Sequence, residues 1–375
     1  MNRTMEKDNF RDHIDRLKAS PVYSMSLGSK ELFHSNFWAF LIGTKEYRGL
    51  INAFFPDFSL EAFEKVTRED GHRDLTIYDK DGREFVIENK IKSYPDEDQL
   101  KRYGNESKNF ASGAITGIKN PPFELEKWRF VSYAEIAAKL KELNGNVADY
   151  KHDVVNDYCN VLESIDALMS MALGADEGYL AYWNEKFDAA LKEVKLIDVF
   201  KKNKADDFVK YLSGCRRGGK GENHMDKYKK WEKNGIRFYT EKGFYNCKAT
   251  LSFGFYVGED KKSCRETIGV QIEENQFRLY KWNSGMSADE VFKEYSEKGW
   301  FDPSYDMYEN RMVHGYKTKM KIRSKYCKYG GDWVYQYFDL WPEGSDVNYG
   351  SYDTIAGLLD KFLAQAFALL DPEKE

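Results

Sequence analysis

Apolar and polar residues alternate along two neighbouring segments, 73–78 and 84–91, and this period of two predicts a pair of half-buried strands. Asp81 and Gly82 lie between the two segments, and an Asp-Gly pair in this position is a strong signal for a tight turn. The pattern therefore predicts a β-hairpin.

The length of the turn decides which side chains face each other across this hairpin. A two-residue turn would set Leu75 opposite Glu88 and place a carboxylate among apolar residues. A three-residue loop over 80–82, with Gly82 in the left-handed conformation, gathers the apolar residues on one face instead, and we predict this loop for that reason. The cross-strand pairs are then Asp79 with Arg83, Ile77 with Phe85, Leu75 with Ile87 and Asp74 with Glu88.

Asp74, Glu88 and Lys90 share the polar face of this predicted hairpin, and their residue types fit metal-assisted hydrolysis. Carboxylate oxygens placed close together repel unless a hard cation lies between them, and Mg²⁺ or Mn²⁺ prefers such ligands. An adjacent ammonium group can orient an attacking water or stabilise the charge on a phosphate. The alternative is that the three side chains form only a solvated cross-strand salt-bridge cluster.

Two flanking helices bring further polar side chains toward the hairpin. A helix predicted to start within 93–98 carries Gln99 and Tyr103, which are four residues apart and therefore share one helical face. A buried helix predicted over 30–42 carries Glu31 near its start. A third carboxylate is thus available to a metal ion.

These motifs, in this order, resemble those of the PD-(D/E)XK nuclease superfamily, in particular its branch with a Q-x-x-x-Y helix, which includes RecB-type nucleases. No proline precedes Asp74, which departs from the pattern in the superfamily's name. The resemblance covers at least residues 25–145. It rests on the helix of Glu31, on Arg73-Asp74-Leu75, on Glu88-Asn89-Lys90, on Asp98-Gln99-Leu100 through Tyr103, and on a strand over 128–133 with the helix that follows it.

The resemblance implies an α/β fold with a restriction-endonuclease-like core, in which helices flank a mixed central sheet. It implies that Glu31, Asp74 and Glu88 hold a Mg²⁺ or Mn²⁺ cofactor and that Lys90 is the catalytic lysine. Gln99 and Tyr103 would then position the substrate or support the site. Asp74, Glu88, Lys90, Gln99 and Tyr103 form the expected catalytic set.

The activity implied by the resemblance is magnesium-dependent endonuclease cleavage of DNA, in defence against foreign or viral DNA. Two alternatives stay open, namely a catalytically inactive module that keeps the fold and binds nucleic acid or mediates assembly, and a nuclease that acts on RNA. The complete set of two acids and a lysine argues against an inactive module. A homo-oligomer or a partner protein of a defence system also stays open.

Composition agrees with a soluble globular protein, because 42% of the 375 residues are hydrophobic and 32% are charged. No apolar run is long enough to cross a bilayer, and the first residues lack the apolar stretch of a signal peptide. We therefore expect a cytoplasmic protein with no membrane contact. The five cysteines have no spacing typical of a structural zinc site, which predicts reduced thiols.

The net charge of −5 hides a basic segment. Residues 201–235 contain eleven Lys or Arg and five Asp or Glu, and aromatic residues are interleaved among them. Such a segment can combine phosphate contacts with base stacking, whereas the alternative is a solvated, charged linker. The candidate nucleic-acid-binding residues are Arg216, Arg217, Lys220, Lys227, Lys229 and Lys230.

Changes in periodicity divide the chain into four predicted parts. Residues 1–145 form the nuclease core, and 146–214 have a helical period and are predicted to pack on it. Residues 215–234 are a basic linker that contains glycines. Residues 235–375 alternate as strands and end in an amphipathic helix over 353–369, which predicts an accessory α+β domain.

Overall fold

The computed structural model divides the chain into two compact units. The first comprises Met1–Ala175 and Glu185–Asn203, and the second comprises Asp176–Asn184 and Lys204–Glu375. The structure describes residues 2–26, 31–91, 97–119, 125–175, 178–180, 185–216, 219–245, 248–283, 285–302, 310–313, 316–319, 327–329, 333–340 and 350–371.

The first unit combines helices with one sheet. Its helices are α1 (Asn2–Ala19), α2 (Pro21–Ser26), α3 (Glu31–Gly43), α4 (Ile51–Phe54), α5 (Glu97–Glu106), α6 (Tyr133–Asn144), α7 (Tyr150–Ala175), α8 (Glu185–Glu193) and the beginning of α9 (Ile197–Leu212). Its strands are β1 (Phe63–Asp70), β2 (Arg73–Asp79), β3 (Glu84–Lys90), β4 (Phe110–Gly117) and β5 (Trp128–Ser132).

These five strands form a mixed sheet in the order β1-β2-β3-β4-β5. The pairs from β1 to β3 are antiparallel, and those from β3 to β5 are parallel. The helix α3 contacts one side of β1, β2 and β3, while Leu100 and Tyr103 of α5 pack with Val86 and Ile115 in a separate apolar cluster. The prediction of an α/β fold with a mixed, helix-flanked sheet is confirmed.

The β2–β3 hairpin has the predicted three-residue loop. Leu75 pairs with Ile87 and Ile77 pairs with Phe85. The Asp79 N–H donates to the Arg83 carbonyl at 3.2 Å, and Gly82 has a left-handed φ of 76°. The Asp79 carboxylate reinforces the loop because it accepts hydrogen bonds from the backbone N–H groups of Asp81 and Arg83. The apolar pattern and the turn chemistry therefore specify the same register.

The helices after residue 145 share the hydrophobic core of the sheet. Tyr158 and Ile165 of α7 are buried in the same cluster as Trp38 and Leu75. The first unit therefore includes most of the predicted helical extension, and the unit boundary lies at Asn203 within α9 rather than at residue 214. The sequence did not show this boundary because the helical period continues through α9.

The second unit combines an antiparallel sheet of six strands with helices. The elements after α9 are β6 (Cys215–Arg216), β7 (Gly219–Lys220), α10 (His224–Lys229), β8 (Ile236–Tyr245), β9 (Lys248–Val257), β10 (Glu266–Glu273), β11 (Gln276–Asn283), α11 (Ala288–Glu297), β12 (Asn310–Val313), β13 (Tyr316–Lys319), β14 (Cys327–Tyr329), β15 (Trp333–Asp339) and α12 (Tyr352–Leu370). The strand order in the sheet is β14-β15-β11-β10-β9-β8. The long helix α12 packs against β9 and β10, and Ser287 with Glu290 forms a capping box at the start of α11.

The segment 215–234, predicted as a linker, belongs to this second unit. It contains the β6–β7 pair and α10, and Met225 and Tyr228 of α10 are buried in the hydrophobic core. The many charges of the segment conceal these two core positions, which lie three residues apart on one face of a helix. None of the helices in the described part of the chain is both long and apolar enough to cross a membrane.

Candidate active site

Four elements of the first unit bring the predicted site residues together. Asp74 lies near the start of β2, and Glu88 and Lys90 lie near the end of the antiparallel neighbour β3. Glu31 is the first residue of α3, and Gln99 lies on α5. The confirmed register of the hairpin is what sets Asp74 against Glu88, because both side chains fall on the same face of the sheet.

Backbone groups at the end of β3 hold two of the three acids. The Asn89 N–H donates to Asp74 Oδ2 at 2.7 Å, and the Ile91 N–H donates to Glu31 Oε1 at 3.1 Å. A carboxylate bound in this way keeps its orientation without another charged group. The strand that carries Glu88 and Lys90 therefore also positions the two partner acids.

Glu88 is the central side chain of the site and is only 2% exposed. The Lys90 ammonium lies 2.8 Å from Glu88 Oε1, and the Gln99 amide Nε2 donates to the same oxygen at 3.2 Å. The Asp74 backbone N–H favours the ionised form of the Glu88 carboxyl group. At Glu88 Oε2, however, no donor among the described residues has the geometry of a hydrogen bond. A buried carboxylate oxygen left without a partner is costly, so Oε2 offers a ligand position for a cation.

Gln99 and Tyr103 link α5 to β3 and to the turn that precedes β2. Gln99 Nε2 also donates to the Tyr103 hydroxyl, and this hydroxyl donates to the His72 carbonyl at 2.6 Å. Tyr103 is buried, so the hydroxyl is held in one position. Gln99 therefore orients Glu88, and Tyr103 orients Gln99.

Burial changes the acidity of the cluster. Burial and the neighbouring charge of Asp74 raise the pKa of Glu88 from 4.5 to about 7. Burial also raises the pKa of Asp74, against the opposing effects of the Asn89 N–H and of Lys90. For Lys90, burial acts to lower the pKa, but attraction to Glu88 and the other two carboxylates outweighs it and raises the pKa. Lys90 is thus an ammonium ion at neutral pH.

The charges and ligand types fit one divalent cation. When all three carboxyl groups are ionised, they exceed the one ammonium by two negative charges. Oxygen ligands are those that Mg²⁺ and Mn²⁺ prefer. In the described part of the chain, however, the oxygens of Glu31, Asp74 and Glu88 do not all lie within 4.8 Å of one another. Binding of one ion by all three acids therefore requires side-chain rotation, and Glu88 can contribute Oε2 while Oε1 stays paired with Lys90.

A second cluster, in the other unit, does meet that distance. Ligand atoms of Glu222, His224 and Asp360 lie within 4.8 Å of one another. Lys227 already supplies a positive charge there, since its ammonium is 2.8 Å from Asp360 Oδ2 and 3.6 Å from Glu222. The Tyr228 hydroxyl donates to Asp360 at 2.7 Å as well. This network links α10 to α12. Because the Lys227 ammonium already compensates the carboxylates, the cluster has less need of a bound cation.

The predicted nucleic-acid contacts on the basic segment differ in availability. Lys227 is engaged by the acids just described, whereas Lys229 and Lys230 are exposed on and after α10. Arg216 and Lys220 lie in β6 and β7, but their side chains, and all of Arg217, fall outside the described residues. Of the six candidate side chains, the structure therefore describes only Lys227, Lys229 and Lys230, and of these Lys229 and Lys230 are exposed.

Several residues that support the site escaped sequence analysis. Asn89 donates to the Glu31 carbonyl and accepts from the buried Tyr133 hydroxyl, so it ties α3 and α6 to β3. Gly117 pairs with Lys90, and a Cβ at that position would come within 2.2 Å of the Lys90 carbonyl. The Arg73 guanidinium donates hydrogen bonds to Glu84 on β3 and to the Tyr103 carbonyl on α5. The position of Asn89 between Glu88 and Lys90 in the sequence was the one signal that could have identified it as a supporting residue.

Comparison of the chain with protein-family models, with curated proteins and with solved structures gives no match. What the fold and the site define is therefore a class, an α/β protein with a cluster of three acids, one lysine and one glutamine at the open end of a β-hairpin, in which Glu88 is buried and the others are half-buried.

Proposed function

We propose that this protein is a metal-dependent nuclease of the PD-(D/E)XK type, with a restriction-endonuclease-like core, that hydrolyses DNA phosphodiester bonds in defence against foreign DNA. One observation carries the proposal, which is the buried Glu88 carboxylate shared by Lys90 and Gln99 and set beside Asp74. A surface salt-bridge cluster would leave these groups solvated, whereas a buried excess of acid is costly and is kept where function needs it.

A bound Mg²⁺ or Mn²⁺ would supply a water of lowered pKa and polarise the phosphoryl oxygen. Lys90 is an ammonium ion at neutral pH, so its role is to stabilise negative charge that develops on the phosphate, not to remove a proton from water. Asp74, Glu88 and Glu31 would hold this ion through carboxylate oxygens, and the backbone N–H groups of Asn89 and Ile91 orient Asp74 and Glu31. Gln99 keeps Glu88 oriented through its hydrogen bond, and Tyr103 keeps Gln99 oriented.

Cleavage assays test this proposal directly. The full chain is incubated with plasmid DNA, single-stranded DNA or RNA, in Mg²⁺, Mn²⁺ or EDTA. We expect metal-dependent cleavage of DNA, and a loss of at least about 100-fold in rate for Lys90→Met or Asp74→Asn. Lys101→Met, which removes an exposed lysine of α5 paired with Glu97, should cleave like the original protein.

The pattern across substrates separates the alternatives. Cleavage of RNA alone would replace DNA by RNA as the substrate. Binding of nucleic acid without cleavage in any metal would identify an inactive module. Equal cleavage by the Lys90 and Asp74 variants would show that the hydrolytic site lies elsewhere.

A further inference from the structure

The β1–β2 hairpin turns at the end of the sheet that carries the candidate active site. Asp70 pairs with Arg73, so Gly71 and His72 form a two-residue loop. Their φ angles are 61° and 65°, and two positive φ angles in succession are characteristic of a type I′ turn. Asp74 follows the loop by two residues, which is about 7 Å along the strand. The loop therefore borders the acids of the site.

His72 occupies a position in this turn that favours glycine. Glycine adopts a positive φ without strain, whereas a Cβ at the same φ comes too close to the following carbonyl oxygen. Histidine is tolerated there better than most residues, but glycine would make the turn more stable. The chain therefore keeps an imidazole at a position where the backbone is strained.

A buried tyrosine holds the strained backbone in place. The Tyr103 hydroxyl donates to the His72 carbonyl at 2.6 Å, and it accepts a hydrogen bond from Gln99. The same Gln99 amide donates to Glu88 at 3.2 Å. Three hydrogen bonds in series thus join the loop to the central carboxylate of the site, which fixes the position of His72 relative to Glu88.

The imidazole ring itself takes no part in this network. His72 is exposed to solvent, and within the described part of the chain its ring makes no hydrogen bond, ion pair or ring contact. Packing of the side chain therefore does not offset the strain of the backbone. Strain without such an offset is typical of functional positions, which indicates that the exposed ring binds something.

The charges around the loop decide which group the ring can bind. Glu69 and Asp70 directly precede the loop, and both are exposed. In the register of β1 and β2, Glu69 lies opposite Asp74. These acids repel a phosphate group close to the loop. An uncharged nucleobase is not repelled, and histidine is among the side chains on which unpaired bases stack.

We propose that the His72 ring stacks on an unpaired base next to the scissile bond of DNA bound at the candidate active site. This inference rests on the proposed nuclease function and narrows the substrate to DNA with a single-stranded segment, because neighbouring bases already cover both faces of a base inside a duplex. The turn presents the ring, and Tyr103 keeps it at a set distance from Glu88.

Fluorescence of 2-aminopurine, a base analogue whose emission falls when it stacks, tests this contact. A short single-stranded oligonucleotide that carries the analogue at several positions is mixed with the full chain in Mg²⁺, in a Lys90→Met background that leaves the strand intact. We expect the emission to fall on binding, to fall equally with His72→Phe, which keeps a ring, and to fall much less with His72→Gly. Full quenching by His72→Asn and little by His72→Phe would show a hydrogen bond in place of stacking and would overturn the proposal.

Steady-state cleavage of single-stranded DNA separates binding by the ring from a structural role of the turn. His72→Gly should raise KM at least about tenfold and leave kcat within about twofold, because the stack forms before the chemical step. His72→Phe should keep the original KM. A lower kcat with unchanged KM would mean that the turn only orients Glu88. Lys195→Gly, at an exposed position with a φ of 54° after α8, is the matched control and should change neither constant.

The thermal midpoint of unfolding shows that the loss is not one of stability. Both glycine variants relieve a left-handed backbone, so both should unfold about 2–4 °C higher than the original protein. Unchanged KM and unchanged quenching in His72→Gly, with cleavage by the original protein intact, would overturn the inference and leave the nuclease function standing. Failure of the original protein to cleave DNA in any metal would remove that function, and the inference with it.

Discussion

At the scale of single residues, the ionised form of Glu88 destabilises the fold. Glu88 is buried beside Asp74, and the Lys90 ammonium offsets only part of the repulsion between the two acids. That Asp74 and Glu88 lie together could be predicted from the sequence, because the hairpin pattern places both side chains on one face of the sheet. The contacts of Asn89 and Arg73 could not be predicted, since they depend on α3, α5 and α6, which are distant in sequence.

The raised pKa of Glu88 predicts how stability depends on pH. A carboxyl group whose pKa rises from 4.5 to about 7 on folding destabilises the fold by about 3 kcal/mol once it is ionised. The cost is absent below about pH 4.5, where the group is protonated in both states, and it is complete above about pH 7. Glu88→Gln should therefore raise the free energy of unfolding of the metal-free protein by about 1–3 kcal/mol at pH 8 and by much less at pH 5.

Urea denaturation in EDTA at the two pH values measures this difference. The matched control is Glu106→Gln, because Glu106 is exposed on α5 and its ion pair with Arg102 is long. Added Mg²⁺ should reverse the order at pH 8, since the variant lacks one of the three proposed carboxylate ligands and binds the ion more weakly. An equal effect of Glu88→Gln at both pH values would contradict the assignment of the cost to ionisation.

Arg73 offers a second prediction at this scale. Its guanidinium lies 2.6 Å from Glu84 in a largely buried pair, and it also donates to the Tyr103 carbonyl at 3.3 Å. Removal of one partner of a buried pair leaves the other uncompensated, which costs about 3–5 kcal/mol. We expect Arg73→Met to lower the free energy of unfolding by about that amount, measured by urea denaturation.

Two companion variants test the cause of that loss. Arg73→Met combined with Glu84→Gln should recover part of the stability, because no buried charge is then left alone. Arg102→Met, in an exposed pair, should change the free energy of unfolding by less than about 1 kcal/mol. A double variant as unstable as Arg73→Met alone would point to lost packing as the cause.

At the scale of elements, the sequence predicts best where a local signal and the hydrophobic pattern agree. The hairpin met both conditions. The edge strand β1 carries mostly exposed or half-exposed residues and so lacks an alternating pattern. The inner strand β4 contains Gly113 and Gly117, which normally disfavour strands, but here the Trp128 ring and the Lys90 carbonyl lie where their side chains would be.

The hairpin loop gives a prediction at this scale. Gly82 has a φ of 76°, and a Cβ added there would meet no atom within 4 Å, so a substitution causes backbone strain without a steric clash. Gly82→Ala should lower the free energy of unfolding by about 1–2 kcal/mol. Gly82→Asn should cost less, because Asn adopts the left-handed conformation more readily. Urea denaturation compares the two, and equal losses would show that backbone strain is not the cause.

At the scale of the whole molecule, the chain forms two compact units that each have a hydrophobic core. Every residue of the candidate active site belongs to the first unit. The boundary within α9 could not be predicted from the sequence, because one continuous helix carries side chains of both cores, such as Phe200 and Phe208. Helical periodicity reports which face of a helix is buried but not which core buries it.

Metal binding should therefore stabilise one unit only. Scanning calorimetry of the full chain should show two unfolding transitions, and Mg²⁺ at about 100 times its dissociation constant should stabilise one of them by about 2.7 kcal/mol. That corresponds to a rise of about 5–10 °C for a unit of this size. Hydrogen exchange should assign the shifted transition to the sheet that carries Asp74 and Glu88, and Asp74→Ala should remove the shift.

The transition of the second unit should stay in place, because Lys227 already neutralises its acidic cluster. A shift of that second transition instead would place the metal on Glu222, His224 and Asp360.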